Sequence, residues 1–168
     1  RIAHEGEFRK GSRIPYIYHP MEVALLVAGM TRDEDVIAAA YLHDVLEDTP
    51  VTPEELGQAF GPRILKLVQF ETEDKTLSWR ERKEHTIRHL SDAPREVQIL
   101  TLADKLSNMR STARDYLMMG DQVWQRFHET RKSSHQWYVA GILEALPDFR
   151  SYPEYQEMHR LYEMVFGA

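Results

Sequence analysis

No cysteine occurs in the 168 residues, which excludes disulfides and thiolate metal sites. No apolar run approaches the roughly 20 residues that a membrane span requires. There is no long basic block either, and 21 Lys and Arg stand against 27 Asp and Glu, for a formal net charge of -6. A nucleic-acid polymer or a membrane surface is therefore not an expected partner, although a local basic pocket stays open. The opening RIAHEGEFRKG lacks the apolar core of a signal peptide and lacks an initiating Met. The expectation is a cytoplasmic protein, and whether residues precede Arg1 stays open. No stretch alternates polar and apolar residues as a half-buried strand does, so a sheet is not expected. What remains is one all-α domain over residues 1–168, long enough for a sizeable core.

The chain is organised around AAAYLHDVLEDT, residues 38–49, which reads as one helix. Val36, Ala39, Ala40, Leu42, Val45 and Leu46 recur at helical spacing. Against them stand His43, Asp44, Glu47 and Asp48, with His43 and Glu47 four apart and Asp44 and Asp48 four apart. Each pair projects from one side of a helix. Clustered carboxylates repel one another, and a cation would offset that repulsion with nitrogen and oxygen ligands at hand. The plainer alternative is an acidic surface face with a histidine beside it.

In chain order, residues 1–9 read as the end of a helix and residues 9–13 as a basic, glycine-containing loop. Pro20 suits the first turn of a buried helix that ends near Gly29, which places His19 at its entrance. Asp33 can cap the helix that carries His43 and Asp44. Thr52, Pro53 and Glu55 form a capping-box pattern before a short helix over residues 53–60. Ser78 can cap a charged helix whose Arg80, Arg82, Lys83, Arg88 and His89 read as a solvated face. Pro94 opens a helix with apolar Val97, Ile99, Leu100, Leu102, Ala103 and Leu106, interrupted by Asp104. A long helix is expected over residues 122–146, and a last amphipathic one over residues 153–166.

His19, His43, Asp44 and Asp104 could converge from three helices into a site built between them. Two imidazoles and two carboxylates suit a divalent transition metal such as manganese, iron or zinc. His19 could instead be a packing residue, and Asp104 a surface acid. Yet Asp104 among Leu102, Ala103 and Leu106 is costly to bury unless it is paired or ligates a metal.

The order His19, His43-Asp44, Asp104 resembles the pattern of HD-domain metal-dependent phosphohydrolases. The likeness extends to Arg9-Lys10, Pro15-Tyr16-Ile17, His19-Pro20, HDVLEDT at 43–49 and LADKLSNMR at 102–110. These stretches are similar to the hydrolase domain of the bacterial stringent-response enzymes. FGPRILKLV at 60–68 and DKTLSWRERK at 74–83 resemble small stand-alone relatives of that domain without a synthetase. The resemblance implies an HD-domain helical bundle and removal of the 3′-pyrophosphate from guanosine tetra- and pentaphosphate alarmones. It implies manganese as cofactor, with His19, His43, Asp44 and Asp104 as its ligands. It further implies Glu47 and Asp48 as the acidic pair that positions or activates water, and Arg9, Lys10 and Asn108 as substrate-binding residues. The chain departs from the family pattern at Gly6-Glu7, where glutamine usually follows glycine. It departs again at Ser134-His135-Gln136-Trp137, where an aromatic pair often precedes Glu-Trp.

Two other classes stay open. One is a broader HD nucleotidase or a phosphatase acting on a dinucleotide cofactor. The other is a non-catalytic helical interaction module with a vestigial metal site. Trp79, Trp124 and the tyrosines near residues 152–162 exceed what a small core must contain, so a homodimer is also expected.

Overall fold

The first turn of the fold is set by a short link. Helix α1, Tyr18–Met30, and helix α2, Glu34–Leu42, pack on each other across residues 31–33. So short a connection makes the two helices antiparallel neighbours. His19 in the first turn of α1 and His43 just beyond α2 stand equally far in sequence from Thr31, on either side of it. An antiparallel pair pivoting there brings the two imidazoles to the same end. Asp33 starts α2 by accepting the Asp35 N–H at 3.1 Å. Its carboxylate and that of Asp35 also hold the Arg63 guanidinium at 2.5–2.9 Å.

The computed structural model describes residues 6–9 and 13–167, which are all-α apart from one isolated antiparallel bridge between Phe8 and Pro15. They fall into two compact units. The first runs to Asp74 and takes in Pro94–Asp104. After α2 it holds α3, Val45–Asp48, α4, Pro53–Phe60, and α5, Pro62–Glu71. Its core contains Val23, Ala24 and Val27 of α1, Val36, Ala39 and Ala40 of α2, and Leu67 and Val68 of α5. Thr52 and Glu55 close the expected capping box on α4, with Pro53 at its start. Gly61 stands at φ 88°, a left-handed conformation that glycine adopts without penalty, and Pro62 then opens α5.

The second unit comprises Lys75–Ala93 and everything from Lys105 onward. It contains α6, Trp79–Leu90, the later part of α7, Arg95–Met119, then α8, Lys132–Ala145, and α9, Pro153–Phe166. Helix α8 packs on α6 and on α9. Met109, Ala113, Val123, Trp124, Val165 and Phe166 form one buried cluster there.

Three expectations are corrected. Residues 6–9 are extended and bridged rather than the end of a helix, because Phe8 pairs with Pro15; residues 1–5 lie outside the described part. Residues 38–49 do not form one helix: α2 stops at Leu42 and α3 resumes at Val45. The long helix over residues 122–146 is also interrupted. A 3₁₀ segment, Gly120–Arg126, comes first, and α8 starts only at Lys132. Before it, the Glu129 carboxylate takes the Arg131 N–H at 3.0 Å, which satisfies locally a donor that a continuous helix would have used.

Ala40 is fully buried on α2, which packs against both α1 and α5. Ala40→Leu should overpack the first unit and destabilise the protein by about 1–3 kcal/mol. Reversible denaturant unfolding measures this, and an unchanged midpoint would show that the helix interface has room to spare.

Candidate metal centre

Four side chains from three stretches of the first unit meet. His19 comes from the first turn of α1, His43 and Asp44 from the break after α2, and Asp104 from α7. His43 Nε2 lies 3.3 Å from His19 Nε2. Asp104 Oδ1 is 3.1 Å from His19 Nε2 and 3.5 Å from His43 Nε2. Asp44 Oδ2 is 3.1 Å from His43 Nε2 and 3.5 Å from His19 Nε2. His19, His43 and Asp104 are all buried, at 2–4 % exposure, and their ligand atoms lie within 4.8 Å of one another.

Local structure aims these groups. The Nδ1–H of His43 donates to the carbonyl of Ala40 at 2.8 Å. That fixes the ring's orientation, so that Nε2 faces the cluster and offers its lone pair once the proton there is lost. Asp44 adopts φ -91°, ψ -7°, and the next turn starts from its own carbonyl, which accepts the N–H groups of Glu47 and Asp48. Tyr16, just ahead of α1, donates its hydroxyl to Asp44 Oδ2.

The donor set fits a divalent cation. Ligands about 2.0–2.2 Å from one centre are separated from each other by roughly 2.9–3.6 Å, and the measured nitrogen–oxygen spacings are 3.1–3.5 Å. Two imidazole Nε2 atoms turned toward one another, beside the carboxylates, form an electron-rich donor set. Such a set suits borderline transition metals.

Charge coupling in the cluster is strong. Burial opposes the imidazolium of His43, but Asp44 and Asp104 outweigh it and hold the His43 pKa well above its ordinary value. Burial likewise resists ionisation of Asp44, yet His43 prevails and lowers its pKa. Burial, and then the Asp44 charge, raise the Tyr16 phenol, so it stays a donor.

The remaining candidate residues are placed as follows. Glu47 and Asp48 occupy the turn after Asp44. Glu47 is half-buried, and its Oε2 accepts the Glu73 N–H at 3.5 Å, whereas Asp48 is exposed. Arg9 is half-buried on an arm whose backbone is paired, with its N–H donating to the Ile14 carbonyl at 2.9 Å. Lys10 lies outside the described residues. Asn108 is half-buried on α7, four residues beyond Asp104, within the second unit. Trp124 and Tyr155 are buried inside the second unit, so neither supplies an exposed aromatic for a dimer interface.

Sequence reasoning missed the side-chain role of Tyr16, although the residue stands in a quoted motif three positions before His19. It also missed Thr101, whose buried hydroxyl donates to Glu71. A threonine within an apolar helix run was the only available signal there.

The family model described as HD domain matches residues 1–129. A guanosine-3′,5′-bis(diphosphate) 3′-pyrophosphohydrolase of Danio rerio is 41% identical over 102 residues, which cover 60% of this chain and 57% of that protein. The bifunctional (p)ppGpp synthase/hydrolase SpoT of Escherichia coli K12 is 38% identical over 117 residues, 66% of this chain and 16% of its own. Among solved structures, one from Listeria monocytogenes EGD-e superposes with a TM-score of 0.81 at 34% identity. It covers 89% of this chain and 99% of that one. Another, titled a metazoan ortholog of SpoT that hydrolyzes ppGpp, gives 0.79 at 25% identity, covering 96% and 88%.

The His43 shift has a consequence for metal uptake. In the metal-free protein its contribution to stability is complete below the ordinary imidazole pKa of 6.5 and is lost as pH rises through the raised folded value. The Asp44 contribution is complete above its ordinary pKa of 3.8 and is lost as pH falls through the lowered one. A cation must displace the His43 proton, so binding should release protons and tighten as pH rises. Manganese titration by calorimetry in buffers of different ionisation enthalpy reads the proton count; no release at neutral pH would remove His43 from the ligand set.

Proposed function

Because this chain belongs to the HD-domain family and is related to the guanosine-bis(diphosphate) pyrophosphohydrolases, we propose that it is a metal-dependent phosphohydrolase of a phosphorylated nucleotide. The substrate that fits best is guanosine 3′,5′-bis(diphosphate), losing its 3′-pyrophosphate, as in the names of its relatives. The observation that carries the proposal is the convergence of His19, His43 and Asp104 on one buried point. Asp44 completes the ligand set in this proposal, and manganese is the preferred cation.

A divalent cation in this position supplies a Lewis acid that polarises a phosphoryl oxygen and makes water more acidic. The chain supplies the rest. Glu47 follows Asp44 by one turn and accepts a proton from the attacking water. Glu73 holds the Glu47 carboxylate through its backbone N–H at 3.5 Å. Asp48 orients the water. The water oxygen bonds to the phosphorus attached to the 3′ oxygen, that P–O bond breaks, and the 3′ oxygen takes up a proton. The products are pyrophosphate and a nucleoside diphosphate. Arg9 and Lys10 neutralise phosphate charge, and Asn108 organises the sugar or phosphate end. A guanidinium can also stack on a base.

Among the described residues no helix is long and apolar enough to cross a membrane. The acidic net charge of -6 supports a small nucleotide over a nucleic-acid polymer. A homodimer and a cytoplasmic location remain part of the proposal.

Two experiments test it. Metal-loaded protein should release pyrophosphate from guanosine tetraphosphate in a panel of phosphorylated nucleotides. Orthophosphate from a nucleoside monophosphate or a phosphorylated dinucleotide would select the nucleotidase or phosphatase instead, and no turnover at all would select the interaction module. Glu47→Gln should keep metal content and melting temperature but lose about 10²- to 10⁴-fold in kcat. Asp44→Asn should lower metal affinity, as removal of a ligand does. Near-wild-type single-turnover rates in metal-loaded Glu47→Gln would take Glu47 out of the mechanism.

A further inference from the structure

Tyr16 touches the site in three ways. Its hydroxyl donates to Asp44 Oδ2, the oxygen that also approaches both imidazoles. Its ring meets the His19 ring edge to face, with centroids 5.7 Å apart. Its backbone N–H donates to the Glu7 carbonyl at 2.9 Å, beside the Phe8–Pro15 bridge and the Arg9-to-Ile14 hydrogen bond. We propose that Tyr16 is a positioning residue that orients the Asp44 carboxylate toward the cation and ties the Arg9-bearing arm to the same centre.

The chemistry follows from the valence of a carboxylate. Each oxygen carries two lone pairs. A neutral phenol occupies one lone pair of Oδ2, which leaves the other turned toward the imidazole nitrogens. Asp44 needs such a partner because its backbone gives its side chain no support. It sits where α2 has ended and α3 has not begun, and its carboxylate makes no capping hydrogen bond to the turn that follows. The two imidazoles beside it are themselves ligand candidates. Tyr16 is therefore its outer donor among the described residues, as the Ala40 carbonyl is the outer partner of His43. Outer partners of this kind restrict the ligand's rotation before the cation arrives.

The same residue explains how the arm is held. Residues 7–9 and 14–16 pair through their backbones, and Tyr16 is the last residue of that pairing before α1. Its ring and hydroxyl then fix this end of the arm to His19 and Asp44. The arm's part in binding substrate rests on the role proposed for Arg9, whereas the orientation of Asp44 does not.

The experiment separates these two parts. Tyr16→Phe retains the ring and the backbone pairing and removes only the hydroxyl. Manganese alone is titrated by calorimetry into the metal-stripped full chain, with no nucleotide present. The expected result is a 10- to 100-fold loss of manganese affinity, an unchanged melting temperature of the metal-free protein, and a fall in kcat at saturating metal with little change in KM. Phe8→Ala is the control, since it disturbs the same arm and leaves the hydroxyl in place. An affinity loss in Tyr16→Phe that exceeds the loss in Phe8→Ala supports the proposal, even if both variants melt earlier. Wild-type affinity in Tyr16→Phe, or equal losses in the two variants, overturns it. Because the cation is titrated alone, a wrong substrate assignment leaves this result intact.

Discussion

The burial of the Asp104 carboxylate constrains everything around it. It is 4% exposed, between Leu102 and Ala103 on one side and Leu106 on the other. A carboxylate taken out of water costs several kcal/mol unless charge and hydrogen bonds compensate. The compensation comes from the far end of another helix pair: His19 Nε2 lies 3.1 Å from its Oδ1. That contact requires α1 to present its first turn to α7, and the link at residues 31–33 then brings His43 to the same point. The geometry of a metal centre and the cost of burying an acid thus demand the same fold. The core of α1 and α2 is built of small residues, Ala24, Ala39 and Ala40, which lets packed helices approach closely.

The break between α2 and α3 is the detail that completes the cluster. On an uninterrupted α-helix, neighbouring side chains diverge by about 100° around the axis. His43 and Asp44 would then leave the axis in directions about 100° apart. At Asp44 the backbone stands at φ -91°, ψ -7°, the loosely wound edge of the right-handed helical region. Its Oδ2 lies 3.1 Å from the Nε2 of the residue before it. The i, i+4 argument that first singled out this stretch assumed one continuous helix, which the chain does not form. The pattern of apolar positions is compatible with one helix or with two short ones in nearly the same direction, and periodicity does not distinguish them.

Capping chemistry was the most legible part of the chain. Asp33, Thr52 and Ser78 each accept the backbone N–H expected of them, because such signals act within three residues. The last helix was likewise bounded by Pro153 and Phe166 as its pattern suggested. The helix expected over residues 122–146 failed for the opposite reason. Its apolar residues Trp124 and Phe127 do face a core, but from a 3₁₀ segment and the turn after it. In the site, His19, His43 and Asp104 were visible as metal-ligand residue types, with Asp104 marked out by its apolar neighbours. Tyr16 was not, because a phenol beside a proline reads as packing until the carboxylate it reaches is located 28 residues away.

A buried cluster of this kind accounts for a cation and leaves substrate selection to other residues. Two imidazoles and a buried carboxylate suit a divalent cation, which would supply a Lewis acid for a phosphoryl oxygen. None of these groups has the donor and acceptor pattern to distinguish one base from another. His135 shows why residue type alone misleads: it stands where the resemblance implies an aromatic side chain. Here its ring stacks on Trp124 at 5.0 Å and packs against Phe127 at 4.9 Å. Its Nε2–H donates to the Glu129 carbonyl at 2.6 Å, the residue that also caps the start of α8. The ring is thus engaged inside the second unit, closing the turn that replaced the expected helix. Trp137, two residues on, is covered on one face by the Arg80 guanidinium at 3.2 Å. Both rings are thus engaged by neighbours within the second unit.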